Sequence, residues 1–310
     1  MRAAFVRALV ELADRDPRVL LLTGDIGFMA LEPFAGRFPG RYFNVGVAEQ
    51  NMLGVATGLA EAGWIPFVYS IATFATLRPY EFIRNGPIHH RLPVRIVGMG
   101  GGLEYGTNGI THYALEDVGV LRVQPGLAII APADHQQVGP ALRATSGWPG
   151  PVYYRLGKDD RTVVPGLEGR FSLGLVERVR EGADVLLLAM GSIAAEAEAA
   201  AALLADRGVR AAVAVVSSIH PASEDDLASL LAEHRLALTV EAHYAVGGLG
   251  SLVSEVVAGR GLSCRVVRCA VPELPAGTSG SQRYLYTRSG LSREALAETA
   301  LRQLRAGRNA

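Results

Sequence analysis

Val45-Gly46-Val47-Ala48-Glu49-Gln50-Asn51-Met52-Leu53-Gly54-Val55-Ala56-Thr57-Gly58-Leu59-Ala60 is the most informative stretch of this chain. It predicts a helix of small and apolar residues with a single carboxylate, Glu49, at its start. A lone Glu at a helix start usually does no more than complement the helix dipole. Here glycine and alanine leave the helix open to close approach by another element or a ligand. A carboxyl group enclosed by such a contact is desolvated, which favours its protonated form and lets it donate a hydrogen bond to a ring nitrogen.

The composition indicates two ordered domains of ordinary size, because the chain has 310 residues, of which 49% are hydrophobic and 19% charged. Its 30 basic and 30 acidic residues balance, which favours neither a nucleic-acid partner nor a membrane surface. No apolar run reaches transmembrane length, and residues 1–5 begin an amphipathic helix rather than a signal peptide. Cys264 and Cys269 read as buried thiols in a reducing compartment, so we expect a cytoplasmic protein.

Short apolar runs alternate with helical patterns along the chain, which predicts an α/β fold with two parallel-sheet domains. The predicted strands are residues 19–22, 42–45, 65–70, 94–97, 128–130, 152–154, 185–188, 213–216, 237–240 and 264–267. The predicted helices are residues 5–13, 49–62, 74–84, 134–145, 193–205, 225–232 and 249–257. A polar segment with Pro and Gly separates two series of elements. We therefore place the first domain at residues 1–160, a linker at 161–172 and a smaller second domain at 173–310.

Two loops that follow predicted strands carry further polar residues. Asp25 lies in the turn after the first strand, and ligands gather at the carboxyl ends of strands in open α/β sheets. The Gly-rich loop of residues 98–112 ends in Thr111-His112, and such loops often bind anions. A flexible connector with an exposed histidine is the competing interpretation. The loop is neither a Walker A nor a dinucleotide motif, because no Gly-Lys-Ser/Thr follows and the glycine spacing differs.

Several segments, taken in chain order, resemble motifs of the transketolase family. Residues 44–52, Asn-Val-Gly-Val-Ala-Glu-Gln-Asn-Met, are similar to its Gly-x-x-Glu-x-x-Met segment. Phe74, Arg78 and residues 80–84 resemble its Phe-x-x-x-Arg-x-Tyr-Asp-Gln-Ile-Arg segment, and residues 106–112 resemble its Gly-x-Asp-Gly-x-Thr-His loop. Glu241 with Gly247-Gly248-Leu249-Gly250 resembles the family's C-terminal domain. The resemblance covers nearly the whole chain.

This resemblance implies a pyrimidine-binding domain for thiamine diphosphate, followed by a transketolase C-terminal domain. In the family, the counterpart of Glu49 hydrogen-bonds N1′ of the aminopyrimidine and that of Phe74 stacks on the ring. The counterpart of His112 contacts the substrate and assists its proton transfers. We therefore expect Glu49 and His112 to be catalytic. The expected cofactor-binding residues are Asp25, Val47, Glu49, Ile71, Phe74 and Arg78. The expected substrate-binding residues are Asn108, His112, Arg155 and Lys158.

The family's diphosphate-binding motif, Gly-Asp-Gly followed some way later by Asn, does not occur in this chain. The resemblance therefore implies the C-terminal subunit of a split transketolase, which moves a two-carbon ketol unit from a ketose or its phosphate to an aldose. We expect no metal ligands here, and we expect Mg²⁺ or Ca²⁺ to be held by an N-terminal partner subunit. The expected assembly is an α2β2 heterotetramer in which this chain also associates with itself.

Four positions depart from the family pattern and bear on the substrate. Asn108 replaces the loop aspartate, and Gly100 stands where many transketolases have a histidine. Lys158 aligns with the arginine that often binds the sugar phosphate, and Met29 stands in place of a serine near that phosphate. Lysine and arginine are not equivalent for phosphate. The departures indicate an unusual or unphosphorylated sugar, or contacts supplied by the partner subunit.

Three alternatives to a transketolase subunit stay open. The β subunit of a 2-oxo acid dehydrogenase E1 shares the fold, the glutamate and the two-chain organisation, although Thr111-His112 and Gln50-Asn51-Met52 favour transketolase. A carboligase similar to 1-deoxyxylulose-5-phosphate synthase is the second. A non-catalytic subunit retained for assembly is the third, and the presence of Glu49, Phe74 and His112 ranks it low.

Overall fold

The computed structural model of the chain describes residues 1–275, 277 and 279–308. Its strands are β1 (Val19–Thr23), β2 (Tyr42–Asn44), β3 (Ile65–Ile71), β4 (Arg95–Met99), β5 (Ala128–Ile130), β6 (Val152–Leu156), β7 (Glu177–Arg180), β8 (Val185–Met190), β9 (Ala211–Val215), β10 (Ser218–His220), β11 (Leu236–Tyr244) and β12 (Arg265–Val271). Its α-helices are α1 (Arg2–Arg15), α2 (Glu32–Arg37), α3 (Glu49–Glu61), α4 (Ala72–Thr76), α5 (Tyr80–Ile83), α6 (Asp117–Arg122), α7 (His135–Thr145), α8 (Ala194–Ala205), α9 (Glu224–Ala232), α10 (Leu249–Arg260), α11 (Gln282–Arg288) and α12 (Arg293–Arg308).

The first sheet has seven strands in the order β10-β5-β6-β4-β3-β1-β2, and every pair in it is parallel except that of β10 with β5. The run Val-Leu-Leu-Leu of β1 is buried on both faces of this sheet. Leu20 and Leu22 enter one hydrophobic cluster, and Val19 and Leu21 enter another, because alternate side chains of a strand point to opposite faces. Helices therefore cover both faces, as a parallel sheet requires.

The second sheet has five strands in the order β12-β11-β8-β9-β7, and only the pairing of β7 with β9 is antiparallel. The prediction of two α/β domains is confirmed, and each predicted strand overlaps an observed one. Cys264 and Cys269 are buried free thiols, as predicted. None of the helices formed by the described residues combines the length and the apolar character needed to span a bilayer.

Two antiparallel edge strands, β7 and β10, were not predicted. β10 follows β9 of the second sheet along the chain, yet it pairs with β5 at the edge of the first sheet. The backbone N–H of Ala131 also donates to the carbonyl of Ser217, at 2.7 Å. A segment of the C-terminal half of the chain thus completes the N-terminal sheet. No element was predicted after residue 267, so α11 and α12 were not anticipated either.

The helix predicted for residues 74–84 is wrong as a single element. α4 ends at Thr76, α5 begins at Tyr80, and a π-helical turn, Arg84–Ile88, follows. Pro79 causes the break, because it lacks an N–H group and disfavours helical geometry in the residue before it. That preceding residue is Arg78, which belongs to the candidate site.

Candidate active site

Glu49 is placed by the connection between β2 and α3. At the end of β2, the Asn44 side chain accepts a hydrogen bond from the backbone N–H of Gly46 at 3.0 Å. The chain then turns, and α3 begins directly at Glu49. The side chain points inward, and the residue is only 3% exposed. The sequence thus puts a carboxylate in a buried position at the carboxyl edge of the first sheet, where α/β proteins bind ligands.

Two donors meet the Glu49 carboxylate. Nη1 of Arg78 lies 3.0 Å from Oε2, and Oγ of the fully buried Ser70 donates to Oε1 at 3.3 Å. Ser70 lies near the end of β3, and Arg78 lies in the break between α4 and α5. A buried carboxylate is costly unless it is paired and hydrogen-bonded, so these two contacts allow Glu49 to be buried at this edge.

An aromatic face lies beside this ion pair. The guanidinium carbon of Arg78 sits 3.8 Å from the centroid of the Phe74 ring, which is cation–π geometry. Phe74 stands in α4, which starts immediately after β3. The ring of His112 meets Phe74 edge-on, with centroids 5.1 Å apart. The structure therefore brings Glu49, Arg78, Phe74 and His112 into one continuous group of contacts.

The group continues from His112 to the end of β6. The Tyr105 ring lies 5.8 Å from the His112 ring, and Nζ of Lys158 lies 4.2 Å from the centre of the Tyr105 ring. Nδ1 of His112 is hydrogen-bonded to the Thr111 hydroxyl at 3.0 Å. Burial lowers the pKa of His112, and the positive charges of Arg78 and Lys158 lower it further. His112 is therefore set up to act as a neutral imidazole, able to accept a proton.

The other predicted cofactor residues lie around Glu49. Asp25 and Asn44 form a reciprocal pair, in which the Asp25 N–H donates to the Asn44 side chain and the Asn44 amide donates to the Asp25 carboxylate, both at 3.0 Å. Val47 is 70% exposed, two residues before Glu49. Ile71 is buried at the end of β3. These three residues thus lie at the carboxyl ends of β1, β2 and β3.

Of the four predicted substrate residues, the structure does not bring Arg155 into this group. Its guanidinium is 5% exposed and bonds the Asp117 carboxylate at 2.8 Å and the carbonyls of Ala114 and Ala242 at 2.9 Å each. Ala242 belongs to β11, so Arg155 joins the two domains. Asn108 is exposed in the same loop as His112.

A cavity of about 760 Å³ opens at Lys158 and contains a residue that sequence analysis missed. It lies between α1 and the segment of Met29 and Ala30, and Arg2 also lines it. Nε of Arg2 is buried and has no hydrogen-bond partner among the described residues. A cation in the first turn of a helix opposes the helix dipole, so the placement of Arg2 is unusual on sequence grounds alone. Ser70 and Tyr105 were not among the predicted site residues either.

Two buried titratable groups lie on β11 of the second domain, and one of them, His243, also contacts α6 of the first domain. The Glu241 carboxylate accepts the backbone N–H groups of Leu249 and Gly250 at 2.7 and 2.8 Å, and burial raises its pKa to about 7. Nε2 of His243 accepts the backbone N–H of Gly119 at 3.1 Å, while Nδ1 faces the Tyr244 carbonyl at 2.7 Å. Burial lowers the pKa of His243, which keeps the ring in the neutral form that this pair of contacts requires.

Both parts of the chain match models of known protein domains. The family model for the transketolase pyrimidine binding domain matches residues 1–162, and that for the transketolase C-terminal domain matches residues 174–296. The chain belongs to the transketolase family. It is 32% identical to a putative transketolase C-terminal section of Methanocaldococcus jannaschii, over 98% of this chain and 96% of that protein.

Two further transketolase relatives match along almost their whole length. A subunit of the apulose-4-phosphate transketolase of Phocaeicola vulgatus is 32% identical over 97% of this chain and 96% of its own. A solved structure of a split-gene transketolase, described as an inactive β4 tetramer, is 33% identical and superposes with a TM-score of 0.87. That superposition covers 98% of this chain and 97% of the solved chain.

The residues of this transketolase chain fit the pyrimidine end of thiamine diphosphate. Glu49 offers a buried carboxylate, and Phe74 offers an aromatic ring beside it. Gly24 leaves room next to them, because a Cβ atom there would come within 3.2 Å of the Gly46 carbonyl oxygen and 3.9 Å of Oε1 of Glu49. Among residues 1–275, 277 and 279–308, no group of three or more His, Cys, Asp or Glu side chains is placed to hold a metal ion.

Proposed function

We propose that this chain is the thiamine-diphosphate-dependent subunit of a two-chain transketolase, which transfers a two-carbon ketol unit from a ketose to an aldose acceptor. The observation that carries the proposal is the buried Glu49 carboxylate, bonded to Arg78 and joined through Phe74 to His112. Thiamine diphosphate, when bound, supplies the stabilised carbanion that such a transfer needs. The residues of this chain supply orientation and proton transfer.

Each residue of the group has a defined task in this proposal. Glu49 offers its buried carboxyl group as the hydrogen-bonding partner of the pyrimidine ring, and its buried position excludes water from that contact. Ser70 and Arg78 fix the carboxylate so that one orientation is kept. Phe74 provides the ring that stacks on the pyrimidine. His112, neutral because its pKa is lowered, accepts a proton from a substrate hydroxyl group.

A partner subunit completes the site. In the family resemblance, the diphosphate and its Mg²⁺ or Ca²⁺ belong to an N-terminal subunit, and the proposed assembly is an α2β2 heterotetramer. The relative from Phocaeicola vulgatus is itself named as one subunit of its enzyme. The solved relative made of β chains alone is described as inactive. Both relatives support a requirement for a second chain, and we expect the isolated chain to lack activity.

The proposed substrates are a sugar or a sugar phosphate that reaches Lys158 and the adjoining cavity. Lys158 and Arg2 present positive charge to that cavity, although Glu11 and Asp160 also line it. Asn108 is exposed in the same loop as His112 and is proposed to contact the sugar. We assign Arg155 to the contact between the domains rather than to substrate binding, because its guanidinium is buried and bonded.

Reconstitution tests this function directly. The chain is copurified with its N-terminal partner, supplied with thiamine diphosphate and Mg²⁺, and assayed with pairs of ketoses and aldoses. Glu49→Gln should lower ketol transfer by roughly 10²–10⁴-fold or more, since that is the contribution of a positioned acid–base group. Glu61→Gln is the matched control, because Glu61 ends the same helix and is exposed. Near-normal turnover by the Glu49→Gln complex would reject the assignment, and pyruvate decarboxylation with lipoyl transfer would favour a 2-oxo acid dehydrogenase subunit.

A further inference from the structure

The position of Gly100 leads to a residue without an assigned role. Gly100 follows β4 at the edge of the site, and its backbone N–H donates to the Leu156 carbonyl at the end of β6. A Cβ atom on Gly100 would lie 2.2 Å from Cε2 and 2.5 Å from Cδ2 of Tyr105. Tyr105 therefore occupies the space that a side chain at position 100 would fill. Because φ of Gly100 is +72°, this backbone conformation also suits glycine best.

The Tyr105 ring lies next to two residues of the candidate site. Nζ of Lys158 lies 4.2 Å from the centre of the ring, and the His112 ring lies 5.8 Å away at an interplanar angle of 43°. Lys158 also lines the 760 Å³ cavity. A substrate that contacts both His112 and Lys158 would therefore lie close to the Tyr105 ring.

The neighbouring Glu104 holds Tyr105 in this position. The Glu104 carboxylate accepts the hydroxyl of Ser192 from the second domain and the backbone N–H of Lys158. These two bonds tie the middle of the loop both to the end of β6 and to the second domain. Gly157 allows this approach, because a Cβ atom there would lie 2.9 Å from Oε1 of Glu104. Tyr105 is thus on a fixed support rather than on a free loop.

The Tyr105 hydroxyl is free to bind a ligand. Among the residues that the structure describes, none is hydrogen-bonded to it. Burial raises the pKa of this hydroxyl, so it keeps its proton and can both donate and accept. A site that bonds a substrate hydroxyl in this way discriminates strongly against analogues that lack the group, because the protein group is then left unpaired.

We propose that Tyr105 is a substrate-contacting residue that selects the sugar through a hydrogen bond from its hydroxyl to a hydroxyl of the ketose or aldose. The proposal rests on the proposed function and names a specificity-determining residue for it. Gly100 provides the space, Glu104 the support, and His112 and Lys158 the flanking groups.

The test uses the two-chain complex with Tyr105→Phe, which keeps the ring and removes only the hydroxyl. kcat/KM is measured for the donor ketose and for aldose acceptors with and without each hydroxyl group. We expect about a 10–100-fold loss for sugars that carry the contacted hydroxyl and almost none for the matching deoxy sugar. Tyr284→Phe is the control, because Tyr284 is 45% exposed on α11. An equal effect on every sugar, or no effect, would overturn the proposal.

Two further measurements separate this proposal from the function on which it rests. Tyr105→Leu removes the whole ring, and its thermal midpoint is compared with those of wild type and Tyr105→Phe. This comparison shows whether loss of ring packing alone explains a loss of activity. If the wild-type complex transfers no ketol unit between any pair of sugars, the Glu49 assignment fails. Calorimetric binding of the same sugars to wild-type and Tyr105→Phe complexes then still decides the role of Tyr105. A selective loss of affinity for the hydroxylated sugar supports the role, and equal affinities reject it.

Discussion

Nη1 of Arg78 lies 3.0 Å from Oε2 of Glu49, although the Arg78 side chain is 43% exposed and that of Glu49 only 4%. The pair is therefore asymmetric. Arg78 can return to water when the contact breaks, whereas Glu49 cannot. The asymmetry predicts that loss of Arg78 acts mainly through the carboxylate it leaves behind, because an unsatisfied buried acceptor costs more than a lost surface charge.

The first prediction is a thermodynamic coupling between these residues. Arg78→Ala should lower the free energy of unfolding by about 1–3 kcal/mol, because the Glu49 carboxylate keeps only the Ser70 contact. The same substitution in a Glu49→Gln background should cost clearly less. Urea unfolding of the four proteins in the double-mutant cycle measures the coupling. Arg143→Ala is the control, since Arg143 and Glu11 are both about half exposed and 4.0 Å apart. Equal costs in the two backgrounds would contradict the coupling.

The second prediction concerns the acid side of the pH profile. The positive charge of Lys158 contributes to the lowered pKa of His112, after burial and Arg78. Lys158→Met should therefore raise this pKa, so that His112 becomes protonated at a higher pH. The acid limb of ketol transfer should move upward in pH, and so should the NMR titration of the imidazole. Lys158→Arg keeps the charge and should leave the titration in place. An unchanged titration in Lys158→Met would show that the ammonium group does not act on His112.

The third prediction concerns Glu241 and stability. Its pKa rises from 4.5 to about 7 on folding, so the folded chain binds the proton more tightly than the unfolded chain between these values. The contribution to stability is present below pH 4.5 and is lost as pH rises through 7, by roughly 3 kcal/mol in total. Glu241→Gln should remove this loss. Unfolding free energies measured between pH 4.5 and 7 should therefore show the variant gaining on the wild type with increasing pH, and a constant difference across that range would contradict the prediction.

His243 supplies the opposite dependence. Its pKa is lowered on folding, so its contribution is present above the ordinary value of 6.5 and is lost as pH falls below it. Protonation of Nε2 would also remove the acceptor for the Gly119 N–H. His243→Gln should flatten the acid side of the stability curve in the same urea experiment. A wild type and variant that lose stability in parallel on the acid side would contradict this assignment.

The last prediction compares two glycines with positive φ. Gly247 has φ +85°, and a Cβ atom there would lie 2.8 Å from the backbone of Gly119 in the first domain. Gly261 has φ +62°, and its surroundings are open. Alanine is strained at both positions, at a cost of order 1–3 kcal/mol. Only Gly247→Ala should add a clash between the domains, so its thermal midpoint should fall further than that of Gly261→Ala. Equal thermal midpoints would show that the Gly119 backbone moves aside for the added Cβ atom without loss of stability.

The sequence predicted the parts of the fold that depend on local pattern. The strand β1 is buried on both faces and therefore appears as a continuous apolar run. The helix α1 is buried on one face and therefore shows apolar residues at helical spacing. Both patterns are visible over a few residues. β10 was missed because Ser218-Ile219-His220 contains one apolar residue and pairs with a strand far earlier in the chain. Pairing between strands so far apart in the chain produces no recognisable pattern in the sequence near either strand.

The same limit applies to the site. Glu49, Phe74 and His112 could be named from ordered motifs, and the structure brings them together. Arg155 was expected at the substrate only because of the resemblance to the transketolase family. Its burial depends on Asp117 and on the Ala242 carbonyl, which come from distant parts of the sequence. Tyr105 was missed because an aromatic residue in a loop gives no sign of which vacant space it enters.

The position of β10 has a consequence for anyone who divides this chain. A fragment that ends at the linker would keep the pyrimidine-binding residues but lose the strand that covers β5. The exposed backbone of β5 would then form an open edge, which is a template for pairing with another molecule. The two halves are therefore consecutive in the sequence, but hydrogen bonds between β10 and β5 join them in the fold. A recombinant first domain produced alone would need a new edge, or would need to carry residues 216–221 with it.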